Sequence, residues 1–204
     1  MIRLYRFQFS TNAERVELAL AHKGLAVESV QVDPKDRSEV RRVSGQDLVP
    51  VIVDAGKAVF DSMEIVRHLE ERYPDKPLYP SDPARRAEMM IFIDWFNRVW
   101  KRPPNEIEAE MEKASPDPAR IARLGRAMTD ALDLFEAMLS GRDHLMGDFS
   151  AADCCAFPFV KYALIQENGD GYLFHKILTQ YQPPGTTHPR LTAWIKRVDQ
   201  RPRA

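Results

Sequence analysis

The stretch Val49-Pro50-Val51-Ile52-Val53, followed shortly by Asp61-Ser62-Met63-Glu64-Ile65, is the most informative part of this sequence. A short apolar run after a proline, then turn residues at 54–57 and a second apolar run at 58–60, predict a β-hairpin. Apolar residues at helical spacing then predict a helix over 62–72. The hairpin and the helix together are typical of the second half of a small α/β domain.

The residues before this stretch alternate between strand and helix patterns. Strands are predicted for 2–7 and 27–32, a helix for 12–23 that ends at Gly24, and a short helix or turn for 38–43. The order β-α-β-α-β-β-α predicts a thioredoxin-like domain with a mixed four-stranded sheet. Its first two strands must be parallel, because a helix crosses between them. We assign this domain to residues 1–78.

The second part of the chain predicts helices only. Residues 73–80 hold three prolines and predict an extended linker, with 79–83 as its end and an all-helical domain over 84–204. Helices are predicted for 84–101, which breaks at Pro103-Pro104, and for 118–139, 151–166 and 189–198. The segment 168–185 has mixed signals and carries no prediction. The expected fold class is therefore α/β followed by an all-α helical bundle.

Charge and composition exclude several classes of partner. The 204 residues carry 29 Lys and Arg against 30 Asp and Glu, a formal net charge of -1, so no electrostatic argument favours a nucleic acid or an anionic membrane. Arginines interrupt the apolar residues at the N-terminus, and no window approaches the ~20 apolar residues that a membrane-spanning helix needs. A cytoplasmic location is expected.

Cysteine and histidine usage predicts no metal site. Cys154 and Cys155 are adjacent in an apolar helical segment, where their side chains point about 100° apart, which suits neither a metal nor an unstrained disulfide. We expect two buried structural thiols. The five histidines show no metal-ligand spacing.

Four further motifs support a family resemblance. They are Leu4-Tyr5 with residues 10–16, then residues 147–153, residues 188–194 and Arg201-Pro202. Together with residues 49–50 and 61–62, their order and spacing resemble the glutathione S-transferase superfamily, of the serine type and nearest to its phi, theta and zeta classes. The resemblance implies a cytosolic homodimer that adds glutathione, or a related low-molecular-weight thiol, to hydrophobic electrophiles.

The resemblance assigns thiolate stabilisation to Ser10. The pKa of a free thiol is about 8.5, and a hydroxyl donor beside a helix N-terminus favours the charged form. Asn12 is a rival or helper, because its amide can also donate to sulfur. Both residues have a second interpretation, as caps of the helix that follows.

The resemblance also places the glutathione contacts. Val49 precedes a proline that is cis in the family, and its backbone pairs with the cysteinyl unit of the ligand. Asp61 and Ser62 receive the γ-glutamyl end, although an Asp-Ser pair is also an ordinary helix cap. Leu48 and Asp36 depart from the family pattern at the glycyl carboxylate. The residues that can substitute there are Lys35, Arg37 and Gln46.

The electrophile site implied by the resemblance lies on the helix after the linker. Our candidates there are Trp95, Arg98, Val99 and Arg102. Because the aromatic residues of this helix recur at i,i+4 spacing, the stripe also fits an ordinary core.

A capping motif, the absence of a cysteine near position 10 and two alternative functions complete the prediction. Ser150 and Asp153 form a capping box with Phe149 as its hydrophobic staple, which is a folding device. The absence of a cysteine near position 10 argues against members that form mixed disulfides. The alternatives to a transferase are a non-catalytic binding module on the same fold and a glutathione-dependent isomerase or peroxidase.

Overall fold

The computed structural model describes all 204 residues, and the chain forms two compact units. Unit 1 comprises residues 1–80 together with 201–204, and unit 2 comprises residues 81–200. None of the helices combines the length and the apolar character that crossing a membrane requires.

Unit 1 has a four-stranded mixed sheet flanked by three helices. Its elements are β1 (Ile2–Arg6), α1 (Thr11–Lys23), β2 (Val27–Gln31), α2 (Ser38–Ser44), β3 (Val51–Asp54), β4 (Lys57–Phe60) and α3 (Ser62–Arg72). The strand order is β2-β1-β3-β4, with β1 parallel to β2 and the other two pairs antiparallel. The predicted thioredoxin-like topology is confirmed.

Local sequence explains where α1 begins and ends. Ser10 caps its N-terminus, and Gly24 adopts a φ of 69° at its C-terminus, a left-handed conformation that favours glycine. The Gly24 amide donates to the carbonyls of Leu20 and Ala21, so the last turn keeps its hydrogen bonds.

A small apolar cluster holds β1, β3 and α2 together. Its buried members are Tyr5, Val32, Val40 and Val51. Partly buried apolar residues that pack against them include Phe7, Val43 and Val49. The residue before Pro50 and the end of β1 are therefore fixed to the same core.

Unit 2 is entirely helical. It contains α4 (Pro83–Trp95), a π-helix (Phe96–Trp100), α5 (Arg102–Met111), α6 (Pro118–Met138), α7 (Ala151–Val160), a 3-10 turn (Lys161–Ala163), α8 (Leu173–Tyr181) and α9 (Pro189–Asp199). Its core is aromatic: the Phe96 ring stacks on Trp100 at 4.5 Å and meets Phe135 and Phe159 edge-on. The predicted all-helical domain is thus present as a unit of its own after the α/β domain.

Three features of unit 2 differ from the sequence prediction. The predicted 84–101 helix does end just before Pro103 and Pro104, but these prolines lie in the first turn of a further helix, α5, which the sequence did not indicate. Residues 96–100 form a π-helix, which the sequence did not indicate. Helix α7 ends at Val160 instead of 166, and α8 lies within the segment that carried no prediction.

The predicted capping box of α7 is present, and both cysteines are buried and reduced. The Asp153 carboxylate accepts a hydrogen bond from the Ser150 amide at 2.9 Å. It also accepts from the Leu145 amide at 3.1 Å and from the Trp194 indole at 2.8 Å. This fully buried carboxylate therefore connects α7, α9 and the loop before α7.

Candidate functional site

Ser10 lies at the N-cap of α1, and its hydroxyl already performs the capping role. The Oγ atom accepts a hydrogen bond from the Ala13 amide at 3.2 Å. A serine hydroxyl has two acceptor lone pairs and one donor proton, so the cap occupies an acceptor position. The hydroxyl proton can still donate to a thiolate. Asn12 lies one residue into the helix and is partly buried.

Two residues with unusual backbone conformation precede the starts of α1 and α3. Phe9, directly before Ser10, has a φ of 62°, and Asp61 has a φ of 65°. Non-glycine residues adopt this conformation at a cost of about 1 kcal/mol, and such residues cluster at ligand sites. Both helix starts that the sequence singled out thus carry local backbone strain.

The first residues of α3 also cap their helix. Asp61 Oδ1 accepts hydrogen bonds from the amides of Met63 at 2.9 Å and Glu64 at 3.2 Å. The Asp61 side chain is exposed, and its Oδ2 atom makes neither of these bonds. Ser62 is buried, with 4% exposure. The Asp61 carboxylate can cap α3 and contact the ammonium group of a ligand at the same time, since a carboxylate has about four acceptor positions.

A buried arginine joins the two helix starts, and the sequence analysis missed it. Arg15 is 2% exposed, and its Nη1 donates to Ser62 Oγ at 3.2 Å. This bond ties the second turn of α1 to the first residue of α3. A signal was available: Arg15 shares a helix face with Leu18 and Ala19, both buried, and a charge on an apolar face predicts a buried partner.

The Val49-Pro50 bond is cis, as the resemblance implied. The β-ladder of β3 begins at Val51, so the Val49 backbone lies beyond the paired residues. Val49 itself packs against the apolar cluster that includes Phe7.

The loop before Pro50 is organised by Gln46. Its Oε1 accepts from the Leu48 amide at 2.6 Å, and its Nε2 donates to the Leu48 carbonyl and to Ser44 Oγ, both at 2.9 Å. Both amide protons of Gln46 are therefore used within the loop. A contact between Gln46 and a ligand carboxylate would replace one of these bonds.

The remaining candidates for the glycyl carboxylate lie in the segment before α2. Lys35 is exposed, and its amide donates to Asp33 Oδ1 at 2.8 Å. The Arg37 guanidinium lies over the Phe7 ring, 5.1 Å from the ring centre. Hydrogen bonds from Ser38 hold the pKa of Asp36 below its ordinary value, so this carboxylate is charged at neutral pH. Of the two cationic side chains, that of Lys35 has fewer contacts within the protein than that of Arg37.

The four electrophile candidates belong to unit 2. Trp95 is partly buried and packs against Phe135 with a ring separation of 6.1 Å, so most of its surface belongs to the core. Val99 is 55% exposed. Arg98 pairs with Asp94 at 2.7 Å, and Arg102 pairs with Glu106. Arg98 and Val99 lie within the π-helix, an element that often occurs at functional sites.

A separate cavity of about 280 Å³ lies in unit 2 and includes none of the predicted site residues. It is lined by Tyr162, Gln166, Glu167, Asp170, His175, Lys176, Thr179 and Gln180. Three of these residues are hydrogen-bonded to one another: Asp170 Oδ2 lies 2.8 Å from the Tyr162 hydroxyl and 2.6 Å from His175 Nδ1. The described residues contain no group of side chains arranged to hold a metal ion.

Comparisons with known proteins agree with the fold. The Sphingobium sp. protein LigF is 27% identical over 244 residues, which cover 98% of this chain and 90% of that protein. The maleylacetoacetate isomerase of Pseudomonas aeruginosa is 41% identical over 93 residues, which cover 42% of this chain and 44% of that protein.

Solved structures give the same result. A glutathione S-transferase from Rhodospirillum rubrum F11 has a TM-score of 0.74 at 29% identity and covers 99% of this chain and 89% of its own. The β-etherase LigF structure has a TM-score of 0.77 at 24% identity, with 98% and 96% coverage, and supports the fold alone. Family models of the N-terminal and C-terminal glutathione S-transferase domains match residues 4–77 and 106–202. With most of its length matched in the expected order, the chain belongs to the glutathione S-transferase superfamily.

Proposed function

We propose that this protein is a serine-type thiol transferase that binds glutathione, stabilises its thiolate through Ser10 and adds it to a hydrophobic electrophile. The observation that carries the proposal is the arrangement of the α1 N-terminus. Ser10 caps the helix with an acceptor lone pair and keeps a hydroxyl donor at the positive end of the helix dipole.

The energetics of this arrangement suit a thiolate. Lowering a thiol pKa by one requires about 1.4 kcal/mol of preferential stabilisation of the charged form. A charge-assisted hydrogen bond supplies roughly 1.5 to 3 kcal/mol, and the helix N-terminus adds to it. The Ser10 donor therefore accounts for a thiol pKa near neutrality. Asn12 is the alternative donor.

The rest of unit 1 supports binding of an extended peptide-like ligand. The Val49 backbone, beyond the β-ladder, pairs with the cysteinyl unit, while Asp61 Oδ2 and Ser62 receive the γ-glutamyl end. Lys35 holds the glycyl carboxylate, with Gln46 shaping the loop that presents Val49. No metal takes part in this scheme, because a lowered thiol pKa and proximity supply the rate enhancement.

The proposed reaction is substitution or conjugate addition at carbon. The thiolate forms a carbon–sulfur bond, and either the leaving group departs with the bonding electrons or the accepting double bond takes a proton. Trp95, Arg98, Val99 and Arg102 are the proposed electrophile contacts. The similarity to a protein named a β-etherase supports substitution with an oxygen leaving group.

The test measures the ultraviolet thiolate absorbance of bound glutathione against pH. Ser10→Ala is expected to raise the apparent thiol pKa by about one to two, and Asn12→Ala to leave it near the native value. The reverse result assigns the donor role to Asn12. If neither glutathione nor another cellular thiol binds at millimolar concentration, the protein is a non-catalytic module on this fold.

A glutathione-dependent isomerase is the second candidate, supported by the 41% identity with a maleylacetoacetate isomerase. The transferase, isomerase and peroxidase activities differ in how much thiol they consume per turnover. An isomerase returns its thiol after each turnover, a transferase consumes one thiol per product, and a peroxidase oxidises two. Measuring remaining free thiol during turnover of a candidate substrate separates the three.

The homodimer and the cytoplasmic location are part of the same proposal. The homodimer is proposed from membership of the superfamily. Light scattering after size exclusion should give a mass near twice the 23.4 kDa of one chain.

A further inference from the structure

The last four residues of the structure belong to unit 1 and contact α1. Arg203 donates through Nη2 and Nε to Glu14 Oε1, at 2.8 and 3.1 Å. Both side chains are largely buried, with exposures of 23% for Arg203 and 12% for Glu14. The two residues are 189 positions apart in sequence, so only the fold brings them together.

Glu14 lies beside the proposed thiol donor. It is four residues after Ser10, its amide donates to the Ser10 carbonyl at 2.9 Å, and residues at i and i+4 share a helix face. One helical turn rises about 5.4 Å, so a sulfur atom held by the Ser10 hydroxyl lies within roughly 10 Å of the Glu14 carboxylate. A negative charge at that distance disfavours a thiolate.

We infer that Arg203 is a positioning residue for thiol activation: its guanidinium neutralises the Glu14 charge next to the Ser10 site. The inference rests on the proposed function. It adds a residue from the far end of the chain that acts through Glu14.

The other charged groups around this part of α1 have their own contacts. Arg15 donates to Ser62, Glu17 pairs with Arg6 at 3.2 Å, and Asp61 caps α3. Arg203 is not a partner in any of these three contacts. A rise in the thiol pKa that the additional Glu14→Gln substitution reverses is therefore attributable to the Glu14 charge.

The experiment compares full-length Arg203→Gln, Glu14→Gln and the double variant by thiolate absorbance of bound glutathione against pH. Arg203→Gln should raise the apparent thiol pKa by about 0.5 to 1, the effect of one unscreened charge near 10 Å at a partly exposed site. The double variant should return close to the native value, since it removes both charges. A purely structural role of Arg203 would leave the double variant shifted.

Arg201→Gln is the matched control. Arg201 lies in the same segment, but its Nη2 contacts His22 Nδ1 at 2.9 Å, at the opposite end of α1. It should leave the thiol pKa at the native value. The inference is overturned if Arg203→Gln does not change the pKa, or if Arg201→Gln changes it equally. A native protein without a lowered thiol pKa overturns the proposed function first, and this inference with it.

Discussion

The indole nitrogen of Trp194 donates to Asp153 Oδ1 at 2.8 Å, so the carboxylate that caps α7 also anchors α9. Asp153 is fully buried and accepts from two backbone amides as well. With the Ser150 hydroxyl, which donates to Asp153 Oδ2 at 3.0 Å, one short side chain thus satisfies four donors from three residues of unit 2.

Asp153→Ala should destabilise the protein by about 3 kcal/mol or more, because it leaves buried donors without an acceptor at about 1 to 3 kcal/mol each. Urea denaturation followed by circular dichroism measures the loss. Asp148→Asn, an exposed aspartate of the same motif, serves as the control and should change stability by less than about 0.5 kcal/mol. Equal effects of the two variants would contradict the anchoring role.

The capping and thiol roles of Ser10 can be separated by substitution. Ser10→Ala removes both, and loss of the cap alone should cost about 1 kcal/mol. Ser10→Asp keeps an equally good cap but presents only acceptors and a negative charge. We expect Ser10→Asp to match the native protein in urea stability and to lose turnover at least as completely as Ser10→Ala. Substantial activity in Ser10→Asp would rule out a donor role.

A buried ammonium connects α1, α3 and the start of the linker. The Lys23 side chain is fully buried, and its Nζ contacts Glu70 Oε2 and the Tyr73 carbonyl oxygen, both at 2.8 Å. Lys23→Met leaves the Glu70 charge in a largely buried place, so we expect a loss of roughly 3 to 5 kcal/mol in the free energy of unfolding. Arg3→Met removes an exposed guanidinium paired with Glu28 at the surface and should cost far less, because exposed ion pairs contribute little to stability.

The loop that presents Val49 depends on Gln46. Gln46→Ala removes three hydrogen bonds that hold Leu48 and Ser44, and should weaken glutathione binding by about fivefold, the effect of roughly 1 kcal/mol of added loop disorder. Turnover at saturating glutathione should stay near the native rate. Calorimetric titration of glutathione measures the affinity, with the exposed Gln31→Ala as control. A reduced maximal rate with unchanged affinity would contradict this assignment.

The pKa of His188 predicts that the stability of the protein changes near neutral pH. Burial lowers the pKa of His188, but its bonds to the Pro184 carbonyl and to Asp133 outweigh burial and raise that pKa above its ordinary value. The folded state then binds the proton more tightly than the unfolded state. This stability is complete below the unfolded pKa of about 6.5 and is lost as pH rises through the folded pKa.

Urea titrations of the native protein from pH 5.5 to pH 8.5 should therefore show a decline that Asp133→Asn reduces. Asp130→Asn removes an exposed carboxylate from the same helix and should retain the native pH profile. An unchanged decline in Asp133→Asn would assign the pH dependence to other groups.

Most of the element order, the mixed sheet and the main caps could be predicted from the residues alone. These features depend on short-range properties: the spacing of apolar residues, the fixed φ of proline, and side chains that bond amides two or three residues away. The resemblance to the superfamily, carried by short motifs, singled out Ser10, the Val49-Pro50 pair and Asp61-Ser62. The sequence placed the helix break at Pro103-Pro104 but missed α5, because a proline pair is compatible both with the end of one helix and with the start of the next.

Contacts between side chains that are distant in sequence became visible only in the folded chain. Arg15 and Ser62 are 47 residues apart, as are Lys23 and Glu70, and Arg203 lies 189 residues from Glu14. No local pattern encodes such pairs, since many arginines and glutamates along the chain are chemically equivalent candidates. Packing of the apolar faces sets the helix positions first, and each buried charge must then find its partner among the groups brought within about 3 Å.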